Sequence, residues 1–179
     1  MSKTVLVLST SPRKGGNSDA LADAFVRGAQ KAGNQVEKIT LYDKTIGFCK
    51  GCLSCQNTQR CIIRDDADAI TQKMLTADVI AFATPIYYYG MCGQMKTLLD
   101  RANPLFPAAY QFRDIYLLAA AAEADEHTVD GAVTGLQGWI DCFEKARLAG
   151  TVFAGGVTAV GEIQGHPALQ QAYETGKTV

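Results

Sequence analysis

The chain lacks several features that would fix its class outright. Its 17 basic and 18 acidic residues leave a formal net charge of −1, so no strong field recruits nucleic acid or an anionic membrane. No apolar run approaches the roughly 20 residues that a transmembrane helix needs. The start, MSKTVLVLSTS, is without the longer apolar segment and cleavage site of a secretory signal. A cytoplasmic protein with no nucleic-acid or membrane partner is therefore expected. His127 and His166 are the only histidines, and neither has a partner that suggests a nucleophile triad or a metal site. Also missing are G-x-G-x-x-G and G-x-x-x-x-G-K-[ST], so Rossmann-type NAD binding and P-loop nucleotide hydrolysis both lose support.

What is present suits one domain, residues 1–179. The 179 residues are 47% hydrophobic and 20% charged, enough for a core that needs no staples. The runs TVLVLS, ADVIAFAT, DIYLLAAAA and GTVFAGGV are too short for helices and rich in branched residues, as buried parallel strands are. QVEKITLYD adds a weaker second strand. Helical spacing lies between them, at Leu21, Phe25, Gly28, Ala29 and Ala32, then at Ile70, Met74 and Leu75 behind the capping candidates Asp65 and Asp66. Met95, Leu98, Leu99 and Ala102 make another stripe, and Val133, Leu136, Ile140 and Phe143 a fourth. GHPALQQAY opens the last helix, with Pro167 suited to its first turn. Five strands alternating with five helices predict an α/β three-layer sandwich. Its five-stranded parallel sheet would have the order 2-1-3-4-5, with helices on both faces. Ligands in such sheets bind beyond the carboxyl ends of the strands, here in the loops after Leu8, Ala83 and Ala122. A cysteine-rich loop at about 42–64 leaves from the same edge.

Two of those loops carry chemistry. STSPRKGGNS, Ser9 to Ser18, combines hydroxyls, two glycines and the free amides of a helix start into an anion cradle. Arg13 adds a charge-assisted contact, and Asn17 or Ser18 is expected to cap the helix. A plain polar turn is the alternative. With no dinucleotide fingerprint, a monophosphate cofactor fits this loop better. ATPIYYYGMCGQMKTLLDR, Ala83 to Arg101, sets Pro85 and three tyrosines, Tyr87, Tyr88 and Tyr89, at a strand end. Gly90 and Gly93 permit close backbone approach. That arrangement suits a planar ring system, and packing of the tyrosines in a core or interface is the alternative.

Together these segments resemble the NADPH-dependent FMN reductase group of flavodoxin-like proteins, over nearly the whole chain. The resemblance implies that Ser9, Ser11, Arg13, Asn17 and Ser18 hold the FMN phosphate, and that Pro85, Ile86, Tyr87, Tyr88 and Gly90 embrace the isoalloxazine. Ala121 and Ala122, ending the fourth strand, are placed on the other side of the ring by topology. Lys96, Asp100 and Arg101 also match the group and are expected to anchor their helix. An FMN-dependent oxidoreductase follows, with NAD(P)H as co-substrate and a quinone, flavin or nitro compound as acceptor. No side chain need act as acid or base. Members of the group commonly form dimers or tetramers in which a neighbouring subunit helps close the flavin site, so the resemblance implies a homodimer or homotetramer.

Four of the six cysteines fall in CKGCLSCQNTQRC, at spacing C-x2-C-x2-C-x5-C. In a reducing compartment such a cluster is thiol, metal-bound or catalytic in preference to a disulfide framework. Within the group, this segment resembles the compact cysteine motif of iron-sulfur flavoproteins, which carry FMN beside a 4Fe-4S cluster. The resemblance makes Cys49, Cys52, Cys55 and Cys61 the ligands and adds a ferredoxin-like redox partner. No proline follows Cys61, a departure from the bacterial ferredoxin run. The spacing alone admits a cluster, unligated thiols or zinc, although zinc usually takes two close pairs set farther apart. Cys92 and Cys142 are expected to be packing residues. Two other classes stay in play: a flavodoxin-like electron carrier without nicotinamide turnover, and a flavin-free interaction domain. The near-zero net charge and Arg13 count against the first. For the second, receiver domains place acidic residues at the first strand end, where this chain has Ser9 to Ser11.

Overall fold

In the computed structural model, which describes residues 2–179, the branched apolar runs hydrogen-bond side by side in one direction. β1 (Thr4–Ser9), β2 (Gln35–Thr40), β3 (Val79–Tyr87), β5 (Asp114–Ala120) and β6 (Arg147–Ala154) form a parallel sheet. Its order is β2-β1-β3-β5-β6, which is 2-1-3-4-5 when the parallel strands alone are counted. This is a flavodoxin-like α/β sheet. A two-residue strand, β4 (Gly90–Met91), folds back antiparallel on β3 through Ile86↔Met91 and Tyr87↔Gly90, an addition that the apolar runs do not announce.

Side chains alternate across the sheet, so each central strand feeds two cores. Leu6, Leu8, Ile80, Phe82, Ile115 and Leu117 meet α3 (Asp66–Thr76), α4 (Gly93–Arg101) and α5 (Asp130–Ile140) on one face. Val5, Val7, Ala81, Ala83 and Leu118 meet α1 (Asn17–Lys31) and α6 (Pro167–Lys177) on the other. Fully burying a side chain such as Leu8 or Phe82 stabilises by about 1.5–3 kcal/mol. β2, at an edge, is only half-buried, which explains its weaker apolar signal. α1 and α6 cross in close contact. A Cβ at Gly28 would collide with the Tyr173 carbonyl, and one at Gly176 with that of Phe25.

Three local expectations need correction. β3 does not stop at Thr84 but continues through Pro85 to Tyr87. β1 pairs with it only as far as Ala83 and β4 only from Ile86, so Pro85 falls in the gap between the two pairings, where a residue without an N–H is tolerated. α1 is capped by neither Asn17 nor Ser18. Gly16 holds the N-cap position and no side chain caps the helix. The cysteine-rich loop contains a single helical turn, α2 (Cys55–Thr58). Asp65, in contrast, caps α3 as expected, its carboxylate accepting from the Ala67 amide at 3.1 Å.

Candidate functional site

Parallel strands end on one edge, and four of these ends converge on a cleft. Ser11, Arg13, Gly16, Asn17 and Ser18 come from the β1–α1 loop, and Pro85, Ile86 and Tyr87 from the end of β3. Ala120, Ala121 and Ala122 follow β5, and Val157 and Thr158 follow β6. The space they enclose is about 140 Å³.

The polar end of the cleft is prepared for an anion. With no side-chain cap, the first-turn amides of α1 lack protein partners on the cleft side. The Ser18 hydroxyl beside them is buried and also has no partner. An orphaned group of this kind calls for a partner, and an anion bound at the helix start would supply one. Ser11 turns the loop: its hydroxyl donates to the Arg13 carbonyl at 3.0 Å and accepts from the Arg13 amide at 3.1 Å. Asp19, in the same helical turn, would repel an anion, but Lys38 pairs with it at 2.7 Å. Burial pulls the Lys38 pKa down, and hydrogen bonds to Asp19 and Asp23 more than reverse this, so the ammonium stays charged.

The other end is flat and apolar. Ala121 is stitched to both neighbouring segments: its amide donates to the Ala154 carbonyl, and its carbonyl accepts from the Val157 amide, each at 2.9 Å. Tyr87 is partly exposed beside the cleft, and the chain then reverses through Tyr88 and Tyr89, with φ of +48° and +64°. Left-handed backbone at two consecutive non-glycine residues is strained. α5 packs closely against the turn, and a Cβ at Gly131 would overlap the Tyr89 carbonyl.

Of the expected cofactor residues, Ser11, Arg13, Asn17, Ser18, Pro85, Ile86, Tyr87, Ala121 and Ala122 line this one cleft. Ser9 lies beneath it, wholly buried with an unpartnered hydroxyl. Tyr88 points fully into solvent, and Gly90 belongs to β4. Sequence reasoning missed Gly16, Ala120, Val157 and Thr158. The Gly155–Gly156 pair is the signal for the last two, since it marks a further strand end on the same edge.

The cysteines occupy a second depression. Cys49, Cys52, Cys55 and Cys61 line it with Leu53, Ile62, Asp100, Arg101 and Asn103 among its walls. Gly51, Leu53 and Gln59 are left-handed, with φ of +64°, +57° and +53°, and these residues curl the loop. The Gly51 amide donates to Cys49 Sγ at 3.4 Å, and Asn103 Nδ2 to Cys55 Sγ at 3.3 Å. Hydrogen bonds from Ser54, its backbone first, lower the Cys52 pKa. Among the described residues, however, no three His, Cys, Asp or Glu side chains gather closely enough to hold a metal ion. The thiols expected as ligands share a pocket but do not converge on one point.

Arg101 ties this loop to the body of the protein. Its side chain is fully buried and forks onto Asp65 at 2.6 and 2.9 Å. It also donates to the Gly47 carbonyl at 2.8 Å and the Ile63 carbonyl at 2.9 Å, one at each end of the cysteine segment. Burial raises the Asp65 pKa, but Arg101 and the Gly47 amide outweigh it and hold the carboxyl below its ordinary value. Arg101 Nε is buried without a partner.

Strand order and a strand-end cleft with an anion cradle define a flavodoxin-like α/β protein. Residues 4–139 match the family described as NADPH-dependent FMN reductase, and the chain belongs to that family. It is 37% identical over 94 residues to an iron-sulfur flavoprotein of Archaeoglobus fulgidus, covering 52% of this chain and 43% of that one. With an iron-sulfur flavoprotein of Methanocaldococcus jannaschii it shares 39% over 101 residues, covering 56% and 52%. The matched segments thus span about half the length of these relatives. Among solved structures, the NAD(P)H:quinone oxidoreductase from Methanothermobacter marburgensis superposes with a TM-score of 0.76 at 18% identity, covering 99% of this chain and 96% of that one. An azoreductase from Bacillus anthracis superposes with a TM-score of 0.73 at 17% identity, covering all of both chains. At these identities the likeness is one of fold.

Proposed function

We propose that this chain, acting as one unit, is an FMN-dependent oxidoreductase. It would take reducing equivalents from NAD(P)H or a ferredoxin-like donor and deliver them to a small acceptor such as a quinone, a flavin or a nitro compound. The observation that carries the reading is the orphaned Ser18 hydroxyl beside the uncapped start of α1, in a cleft whose far end is flat and apolar. A phosphate fits the first part and a fused ring the second.

Ser11, Arg13, Ser18 and the first-turn amides would hold the phosphate, with Asn17 at the edge of that set. Pro85, Ile86 and Tyr87 would flank one side of the ring. The small side chains of Ala120 to Ala122 would leave room on the other. Ser9, Tyr88 and Gly90 act from outside the cleft wall, by supporting the strand end and shaping the turn. Bound FMN supplies both hydride and single-electron chemistry. The protein would orient the ring and limit access, and no side chain need act as acid or base. A cleft of about 140 Å³ is smaller than the roughly 300–1,000 Å³ of typical ligand sites. A homodimer or homotetramer, in which a second copy covers the exposed face, would complete it.

On the same reading, Cys49, Cys52, Cys55 and Cys61 would hold a 4Fe-4S cluster, which rests on the iron-sulfur flavoproteins among the relatives and not on the arrangement of the thiols. In a cubane each iron takes its own thiolate, so the four need not converge as they would for zinc. N–H donors to sulfur, such as those of Gly51 and Asn103, are the kind of contact that sets a cluster's potential. Such a cluster would favour a ferredoxin-like partner over nicotinamide. The cytoplasm provides the reducing setting that free thiols need, and among the described residues no helix is long and apolar enough to cross a membrane.

The test is turnover of protein loaded with FMN, using NADH, NADPH and a reduced ferredoxin against a quinone and a nitro compound. Reduction by any of these donors, with electrons passed to an acceptor, supports the reading. A flavin-loaded protein that no nicotinamide reduces and that only shuttles single electrons would be a flavodoxin-like carrier. Failure to bind FMN would leave a flavin-free interaction domain.

A further inference from the structure

The segment after β6 supplies one wall of the cleft, and the β1–α1 loop grips it. Asn17, itself buried, uses both ends of its amide on this segment. Its Nδ2 donates to the Ala159 carbonyl at 3.0 Å, and its Oδ1 accepts from the Ile163 amide at 3.4 Å. Arg13 donates to the Thr158 carbonyl at 2.8 Å. The segment is also closed on itself. The Glu162 carboxylate accepts from the Thr158 amide at 2.5 Å and the Ala159 amide at 2.8 Å, and those two hydrogen bonds lower its pKa. Glu162 does not line the cleft, whereas Val157 and Thr158 do. The Val157 amide in turn donates to Ala121, beside the apolar end.

We propose that Asn17 is a positioning residue. It clamps residues 157–163 to the start of α1, so that Val157 and Thr158 would form a fixed part of the wall against a bound flavin, with Glu162 as the keystone of the turn. The inference rests on the cleft being a flavin site. It separates Asn17 from Ser18: the Ser18 hydroxyl is free to meet a phosphate, while the amide plane of Asn17 is set by the loop.

Riboflavin, which has no phosphate, tells the two roles apart. For a clamp, Asn17→Ala and Glu162→Ala each weaken FMN and riboflavin by the same factor, about tenfold for the loss of one or two hydrogen bonds. Ser18→Ala weakens FMN alone. Hydrogen exchange on the flavin-free protein gives an independent reading. The Thr158, Ala159 and Ile163 amides should exchange faster in both clamp variants and unchanged in Ser18→Ala. Glu162→Ala alters an exposed side chain, so it carries the test if Asn17→Ala fails to fold. The clamp is overturned if Asn17→Ala weakens FMN but not riboflavin, or if the loop amides exchange at the wild-type rate in either variant. A wild-type protein that bound neither flavin would defeat the proposed function, and the exchange rates would still decide the clamp.

Discussion

The two pockets are held together in different ways. The cleft gathers residues from four strand ends that are far apart in sequence, and backbone pairing in the sheet places those ends, with side-chain hydrogen bonds from Asn17, Arg13 and Glu162 holding one wall. The cysteine pocket takes its thiols from thirteen consecutive residues, and side chains fix it in place: Arg101, Asp65 and the left-handed turns at Leu53 and Gln59. A site fixed by topology tolerates most single changes nearby. A site fixed by one buried ion pair does not, because removing either partner leaves the other buried and uncompensated.

That contrast breaks most visibly at Arg101. Arg101→Ala should cost about 3–5 kcal/mol, read as a lower urea midpoint. Below its melting temperature, iodoacetamide should label Cys55 and Cys61 much faster, with FMN affinity changed less than about twofold. A large loss of FMN affinity in folded protein would show that the two regions are not independent.

Asp65 makes the same point through pH. Its folded pKa lies below the unfolded value of about 3.9, so its contribution is fully present above that value. It is lost as pH falls through the folded pKa. Asp65→Asn should cost about 2 kcal/mol at pH 7. Urea titrations from pH 6 down to pH 3 should show the gap from wild type narrowing at the acid end, and a constant gap would refute the assignment.

On the cleft side, Gly131→Ala forces α5 away from the Tyr89 carbonyl. The expected cost is about 1 kcal/mol, with weaker FMN binding and unchanged thiol labelling. The smallest effect belongs to Lys96→Gln. Lys96 and Asp100 form an exposed i,i+4 pair at 2.7 Å, and its loss should move stability by less than about 0.5 kcal/mol.

The cleft was also the more legible of the two in sequence. Branched apolar runs identify central strands because both faces are buried, and parallel strands end on one edge, so the loops that meet there follow from the count. Legibility fails where a tertiary neighbour decides. Pro85 reads as a breaker, yet it sits in β3 because β1 has already ended. The left-handed Tyr88–Tyr89 turn fits against α5 only because residue 131 is a glycine. Val157 closes the run GTVFAGGV, which reads as one strand, and Thr158 lies just beyond it, whereas β6 stops at Ala154. In the cysteine loop, the spacing of the thiols is plain but their approach to one another is not. It depends on left-handed backbone at Leu53 and Gln59, residues that rarely adopt it, and on an arginine some forty residues away.

The most direct test of the two-site account is an absorption spectrum of protein purified without oxygen, with FMN, iron and sulfide assayed on the same sample, for wild type and Cys52→Ser. The account predicts stoichiometric FMN in both proteins, and iron and sulfide in the wild type alone. Protein that retains no flavin, even after FMN is added, would contradict it.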